Sequence, residues 1–352
     1  LSSTRDRDMS SVHSAFLATA TATPANPFLI VPSRPERAWL PGGLTLTYGR
    51  VASIVAAMSA HYAAAGIGNG DRVALLLENR PDFVMHFLAL NALGAGIVPV
   101  NPDYRHDELL YQMDHSDAAL AVVVSHRVDD LEAVARDMSR ALPIIDVATF
   151  IDRSLPIARP RSGRTQAPAG DTECALLYTS GTTGQPKGCR LTNDYFLIAG
   201  QGYLNHGGLA AIRQGLERFY NPLPLFHMNH LAVTTTCAIL SANALVLTER
   251  FSPSRWWNEV AESRATIIHY LGIVAPTLLN QPAVPEERNH AVRFGLGAGV
   301  EPLLHKAFED RFGFPLIEVW GMTETGRLFV NHTEPRLTAT RAFGRPYDGL
   351  EA

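Results

Sequence analysis

Cysteine is scarce in this chain, and the scarcity excludes two kinds of protein. The 352 residues contain three, Cys174, Cys189 and Cys237, with no Cys-x-x-Cys spacing. Neither a disulfide framework nor a cysteine-based zinc cluster is indicated, and a reducing cytoplasm is the expected setting. A basic excess is missing too. Lys and Arg number 30 against 34 Asp and Glu, a net charge of −4. That leaves no electrostatic footprint for nucleic acid and no polybasic signal for a membrane surface. Long apolar runs are also missing. The most apolar stretch, 83–100, is interrupted by His86, Asn91, Gly94, Gly96 and Pro99. It reads as a buried helix followed by a strand, so no integral membrane contact is expected. The Ser/Ala/Thr-rich run at 11–23 follows a mixed, charged segment and lacks the ordered pattern of a signal peptide. Apolar residues make up 46% and charged residues 18% of the chain, a balance typical of an enzyme with a large core. The length suffices for two lobes or one large multilayer domain.

From about residue 45, helix-like and strand-like segments alternate. Residues 48–65 are Ala-rich with helical spacing and end at Gly66. Residues 71–77 read as a buried strand, and 81–93 as a helix opened by Pro81. Residues 97–100 are strand-like, 105–115 helical and 118–124 a strand. This β-α-β rhythm predicts an α/β fold of mostly parallel sheets flanked by helices. A proline- and arginine-rich stretch, 155–170, interrupts it and reads as a linker. The expected division is 1–154 as a first α/β subdomain and 171–352 as a second. Within the second, Ser252-Pro253 looks like the cap and first residue of a helix running to Ser263. Residues 265–269, 292–296 and 316–319 are expected strands, and Glu301-Pro302 opens another helix.

The chemistry concentrates in residues 178–188, Tyr-Thr-Ser-Gly-Thr-Thr-Gly-Gln-Pro-Lys-Gly, which follow the apolar run Cys174-Ala175-Leu176-Leu177. Gly181, Gly184 and Gly188 supply the positive φ values that an anion nest of backbone N–H groups needs. Thr179, Ser180, Thr182 and Thr183 supply hydroxyl donors, and Lys187 supplies the charge. A plain Ser/Thr/Gly surface loop is the rival reading. The string is not a Walker A loop, because Lys187 comes three residues after Gly184 and precedes Gly188.

This string resembles the phosphate loop of the adenylate-forming (AMP-binding) superfamily: acyl- and aryl-CoA synthetases, adenylation domains of nonribosomal peptide synthetases, and beetle luciferases. Four further segments resemble family motifs in family order: Pro224-Leu225-Phe226-His227, the turn at 295–300, Trp320-Gly321-Met322-Thr323-Glu324, and Phe343-Gly344-Arg345-Pro346. The resemblance runs from about residue 48 to 352. Its segments at 223–229 and 265–272 look most like crotonobetaine/carnitine-CoA ligase relatives.

The resemblance implies a large N-terminal domain in two or more subdomains and a set of roles. Thr179, Ser180, Gly181, Thr182, Thr183, Gly184 and Lys187 would hold the β- and γ-phosphates of ATP. Thr323 would donate its hydroxyl to the α-phosphate, and Glu324 would ligate Mg²⁺. Gly297, Ala298 and Gly299 with the Trp320 ring would sandwich adenine, and Gly321 and Met322 belong to the same nucleotide-contacting segment. His227 would line the acyl pocket as a gate, its walls also coming from 228–230, 271–274, Ala298 and Met322, with His230 shrinking or polarising the entrance. These groups are expected to converge on one triphosphate.

The implied activity is activation of a small or medium carboxylic acid as an acyl-adenylate, followed by transfer to coenzyme A. A homodimer is compatible with this reading. The alternatives are an adenylation module that loads a carrier protein and a nucleotide-binding protein without catalysis. Relatives continue with a ribose-binding aspartate, a hinge and a small mobile C-terminal domain. The 352 residues are therefore expected to represent a truncated ligase with poor turnover.

Overall fold

Short apolar runs bounded by polar turns become buried strands here, and the longer periodic segments between them become helices. The computed structural model describes residues 10–152, 154–157, 165–179 and 184–347, without the side chain of Leu328. The chain begins with α1 (Val12–Ala22), β1 (Pro27–Val31), β2 (Leu44–Thr47) and α2 (Tyr48–Ala64). Then come β3 (Arg72–Leu76), α3 (Pro81–Asn91), β4 (Gly96–Pro99), α4 (His106–Ser116), β5 (Leu120–Val123), α5 (Val128–Asp137) and β6 (Ile144–Asp146). They are followed by β7 (Glu173–Thr179), β8 (Lys187–Thr192), α6 (Asn193–Leu204), β9 (Arg218–Tyr220), α7 (Thr235–Leu240), β10 (Ala244–Val246) and α8 (Trp256–Ser263). The last stretch holds β11 (Ile267–Leu271), α9 (Val274–Leu279), β12 (Phe294–Ala298), α10 (Pro302–Phe312), β13 (Leu316–Met322), β14 (Gly326–Val330) and β15 (Arg345–Pro346).

The chain divides into two compact units. The first comprises Leu1–Ala22, Gly49–Ile198 and Leu225–Met228; the second comprises Thr23–Tyr48, Ala199–Pro224 and Asn229–Ala352. Both are discontinuous, whereas the division read from the sequence was contiguous. Strand pairing is the reason. β7 hydrogen-bonds to β4 and β8 to β7, so residues 173–192 join the first unit's sheet. β1 pairs with β10, which draws residues 27–47 into the second.

The first unit holds a six-stranded sheet in the order β6-β5-β3-β4-β7-β8. Its pairs are parallel except the last, β7 with β8. Val73 to Leu76 and the whole of β4 are buried, the continuous apolar pattern of parallel strands covered on both faces. One face packs a core of Leu76, Val98, Leu109, Met113, Val123 and Leu131. Pro81 opens α3, where its missing N–H costs nothing.

The second unit holds a nine-stranded sheet in the order β15-β14-β13-β12-β11-β9-β10-β1-β2. Five of its pairs are parallel, from β1–β10 through to β12–β13. The remaining pairs, β1–β2 and the run β13–β14–β15, are antiparallel. Its core includes Tyr220, Trp256, Ile268, Phe308, Phe312 and Leu316. Glu301 and Pro302 open α10 as expected, and Gly313 closes it at φ 85°. Ser252-Pro253 instead forms a turn, with Arg255 N–H donating to Ser252 O at 3.2 Å, and α8 starts at Trp256.

One ion pair sets where β13 begins. Arg336 grips the Glu309 carboxylate at 2.7 and 2.9 Å. Glu309 also accepts the Leu316 N–H at 3.0 Å, and Arg336 donates to Leu316 O at 3.2 Å. Burial pushes the Glu309 carboxyl up, but the bonds from Arg336, His305 and the Leu316 N–H together outweigh it and hold the group at about 2. A carboxyl depressed in the folded state stabilises the fold above its unfolded pKa of about 4.3 and loses that contribution as pH falls through the folded value. Glu309→Gln is therefore expected to cost about 2 kcal/mol at pH 7, measured by urea unfolding. The gap from wild type should narrow between pH 4 and pH 2; a gap that stays constant there would remove the ion pair as its cause.

Candidate functional site

In the first unit, the apolar run at 174–177 forms β7, and the chain returns as β8. Tyr178 pairs with Gly188, and Thr179 with Lys187, across the neck of this hairpin. Ser180, Gly181, Thr182 and Thr183 lie outside the described residues. Gly184 has φ +94° and open space where a Cβ would stand, a left-handed position suited to glycine. At Gly188 a Cβ would stand 2.9 Å from Leu176 Cδ1. Lys187 is exposed, and its ammonium makes no ion pair or hydrogen bond among the described residues. The neck thus presents a cation without a partner among the described residues, on the residue paired with Thr179. His227 belongs to the same unit. It is exposed, with its ring 4.5 Å from that of Phe226. The segment is pinned by the Leu225 N–H, which donates to Asn79 Oδ1 at 2.8 Å.

The other candidates belong to the second unit and gather at the carboxyl edge of its parallel strands, where open α/β sheets hold their ligands. β11 and β12 run in register to Leu271 and Ala298, and Gly297 pairs with Glu318 on β13. The structure therefore brings Gly297, Ala298 and Gly299 beside the end of β13, which carries Trp320, Gly321 and Met322. Gly299 has φ +85°. The chain then turns through Thr323, Glu324 and Thr325 and returns as β14, with Met322 opposite Gly326. A side chain at Gly321 would collide with Gly326 O and the Arg327 backbone, so the hairpin closes tightly only with glycine there. Trp320 is half-buried, with its ring 6.0 Å from Phe343 and 5.8 Å from Phe329. Glu324 is exposed, and its carboxylate makes no ion pair or hydrogen bond among the described residues. Thr323 is half-exposed beside it. Leu271, Ile273 and Met322 are exposed apolar side chains at this edge.

His230, expected at a pocket entrance, is fully buried. Its Nδ1 lies 2.7 Å from Leu223 O, and burial holds the ring at about 4, so it is neutral at pH 7. It sits in a π-helical turn, Asn229–Thr234, closed by the Thr234 and Thr235 hydroxyls, which donate to Asn229 O and His230 O.

Sequence reasoning passed over Glu318. It is buried on β13 and accepts the Gly299 N–H at 2.8 Å and the Tyr270 hydroxyl at 2.8 Å. Val300 N–H adds a weaker bond at 3.4 Å. Burial pushes its carboxyl up, and the Tyr270 hydroxyl and Gly299 N–H partly offset the rise. A charged residue inside the apolar run 316–319 was the available signal, since such a residue is buried only with partners.

Comparison with known proteins places these features in context. Residues 17–352 match the family described as AMP-binding enzyme. The sulfoacetate–CoA ligase of Cupriavidus necator is 30% identical over 93% of this chain and 62% of its own length. The medium/long-chain-fatty-acid–CoA ligase of Mycobacterium tuberculosis is 33% identical over 82% of this chain and 48% of its own. The crotonobetaine/carnitine–CoA ligase of Salmonella typhi is 30% identical over 74% of this chain and 52% of its own. The chain thus spans about half to three-fifths of the length of these curated relatives. Among solved structures, the N-terminal domain of FACL13 from Mycobacterium tuberculosis superposes with a TM-score of 0.81 at 21% identity, over 96% of this chain and 82% of that one. This likeness bears out the α/β architecture expected from the sequence.

The Glu318 bonds predict a local effect. Glu318→Ala should speed amide hydrogen exchange at Gly299 and Val300 by about five- to tenfold, the equivalent of one hydrogen bond. Glu318→Gln keeps an acceptor and should leave exchange near wild type. Equal exchange in the alanine variant would mean that the turn is held by its own backbone.

Proposed function

The chain belongs to the AMP-binding enzyme family, and from that premise we propose that it is the acid-activating part of an AMP-forming acid–CoA ligase. The carrying observation is the β7–β8 hairpin, which holds Lys187, exposed and without a partner among the described residues, across from Thr179 at the neck of a glycine- and hydroxyl-rich sequence.

Acyl-adenylate formation brings two anions together: a carboxylate oxygen attacks the α-phosphorus of ATP, and pyrophosphate departs. Charge repulsion and alignment dominate such a barrier, so cations and oriented donors are what the protein must supply. In this proposal Lys187 and the loop hydroxyls and amides hold the β- and γ-phosphates and stabilise the departing pyrophosphate. Thr323 donates its hydroxyl to the α-phosphate. The turn Gly297-Ala298-Gly299 and the ring of Trp320 receive adenine. Glu324, exposed and without a partner among the described residues, offers the hard oxygen ligand that Mg²⁺ prefers; the ion would neutralise phosphate charge there. Leu271, Ile273 and Met322 offer apolar surface to the acid, in keeping with a small or medium carboxylic acid. The relatives' named substrates range from sulfoacetate to medium and long-chain fatty acids, and His227 is assigned to the acid side of the site. Transfer to coenzyme A completes the proposed reaction, and a cytoplasmic setting suits it.

ATP–pyrophosphate exchange across a panel of carboxylic acids, measured on the longer ligase of which this chain is proposed to be the acid-activating part, tests the proposal. Lys187→Ala and Glu324→Gln are each expected to slow acid-dependent exchange by about 10²-fold or more. A change below about threefold in either would remove its assigned role. Acid-dependent AMP release that requires coenzyme A would separate the ligase from an adenylation module that loads a carrier protein.

A further inference from the structure

The neck of the β7–β8 hairpin lies beyond the support of its own sheet. β8 is the edge strand, and β7 pairs with its other neighbour, β4, at Ala175, opposite Ile97. β4 ends at Pro99, so Tyr178, Thr179, Lys187 and Gly188 bond across the hairpin without a third strand. Two side chains one helical turn apart on α4 reach this projecting end. The Tyr111 hydroxyl donates to Pro186 O at 2.8 Å, on the descending arm next to Lys187. His115 Nδ1 is hydrogen-bonded to the Tyr178 hydroxyl at 2.7 Å, on the ascending arm next to Thr179. The two α4 rings stack at 5.4 Å and 21°, and His115 meets the Tyr178 ring edge-on at 5.6 Å. Residues four apart on a helix share a face, so one face of α4 grips both arms. α4 is itself anchored on the first unit's core through Leu109 and Met113. Its first turn is capped by Glu108, which accepts the Arg105 N–H at 2.8 Å. The helix is therefore a rigid reference for the hairpin.

We propose that Tyr111 and His115 are positioning residues for the phosphate hairpin: they fix the arms that carry Thr179 and Lys187 and so set the affinity for an oligophosphate. The inference rests on the phosphate-loop reading given above. A projecting two-stranded neck is only marginally ordered by itself. Without the α4 bonds, fixing Thr179 and Lys187 would count against phosphate binding, as for any site that is not preorganised. A role confined to the oligophosphate follows, because the bonds end on the residues that flank Thr179 and Lys187.

The test uses isothermal titration of the chain with Mg-ATP, Mg-pyrophosphate and adenosine. Tyr111→Phe and Tyr178→Phe each remove one hydroxyl and keep the ring. Each is expected to weaken Mg-ATP and Mg-pyrophosphate by about fivefold, the equivalent of one hydrogen bond. Adenosine, which lacks phosphate, should bind all variants alike. His115→Ala combined with Tyr178→Phe should cost no more than the larger single change, because both remove the same bond. Unchanged Mg-ATP affinity in both phenylalanine variants would overturn the proposal. Equal losses for adenosine and Mg-ATP would also overturn it, since they would mark a general loosening of the fold. Lys187→Ala serves as the separate control: wild-type Mg-ATP binding that ignores it would refute the phosphate-loop reading itself, and this inference with it.

Discussion

Thr179 pairs with Lys187, and Met322 pairs with Gly326. In both places a strand delivered by a parallel sheet turns back on itself as an antiparallel hairpin. Strands must satisfy their backbone groups, and those of a parallel sheet do so along their length. The turns beyond their carboxyl ends leave backbone groups that the sheet does not pair. The polar chemistry of the chain collects at such turns: hydroxyls and a lysine on one hairpin, a threonine and a glutamate on the other. Lys187 and Glu324 share a further property, for each is an exposed charge without a partner among the described residues. Elsewhere the fold ties its partly buried charges carefully, as Glu173 is tied to Arg72 and Arg190, or Glu309 to Arg336.

Glycine makes these turns possible in two distinct ways. At Gly184 and Gly299 the backbone adopts positive φ, which other residues reach only with strain. At Gly321 the constraint is space, since a side chain would meet the backbone of the returning strand, whereas at Gly188 a Cβ would press only on the end of the Leu176 side chain. A motif that looks like a run of flexible residues is therefore a set of geometric requirements. The supports around it are equally specific. Glu318 holds the turn after β12 by accepting the Gly299 N–H, and Tyr111 and His115 hold the hairpin neck.

The helices and strands expected for residues 48–124 correspond closely to α2 through β5, because their apolar patterning is strong and most are punctuated by Gly or Pro, with Asp117 in the left-handed conformation closing α4. The segment at Ser252-Pro253 is a different case. Its residues suit a helix start, but the chain spends them on a turn, and packing of Trp256 and Trp257 into the core decides where α8 begins. β1 and β2 carried little signal, being short and far in sequence from β10, the strand that β1 joins. The linker-like stretch at 155–170 did not mark the division between units, because β7 pairs back onto β4 across it.

Residue order by itself determined the family resemblance, the α/β rhythm and the identity of the chemical groups. Those are local properties: the spacing of apolar residues, the glycines that a tight turn requires, and the run of hydroxyls ending in a lysine. Only the tertiary structure decided which strands share a sheet, that both units are discontinuous, and that His230 is buried and neutral. It also decided that Glu318 on one strand restrains the turn after another, and that α4 grips both arms of the hairpin. These depend on pairings between residues tens to hundreds of positions apart. Their free energy comes from hydrogen bonds and burial that exist only once the chain has folded, so no local pattern could announce them.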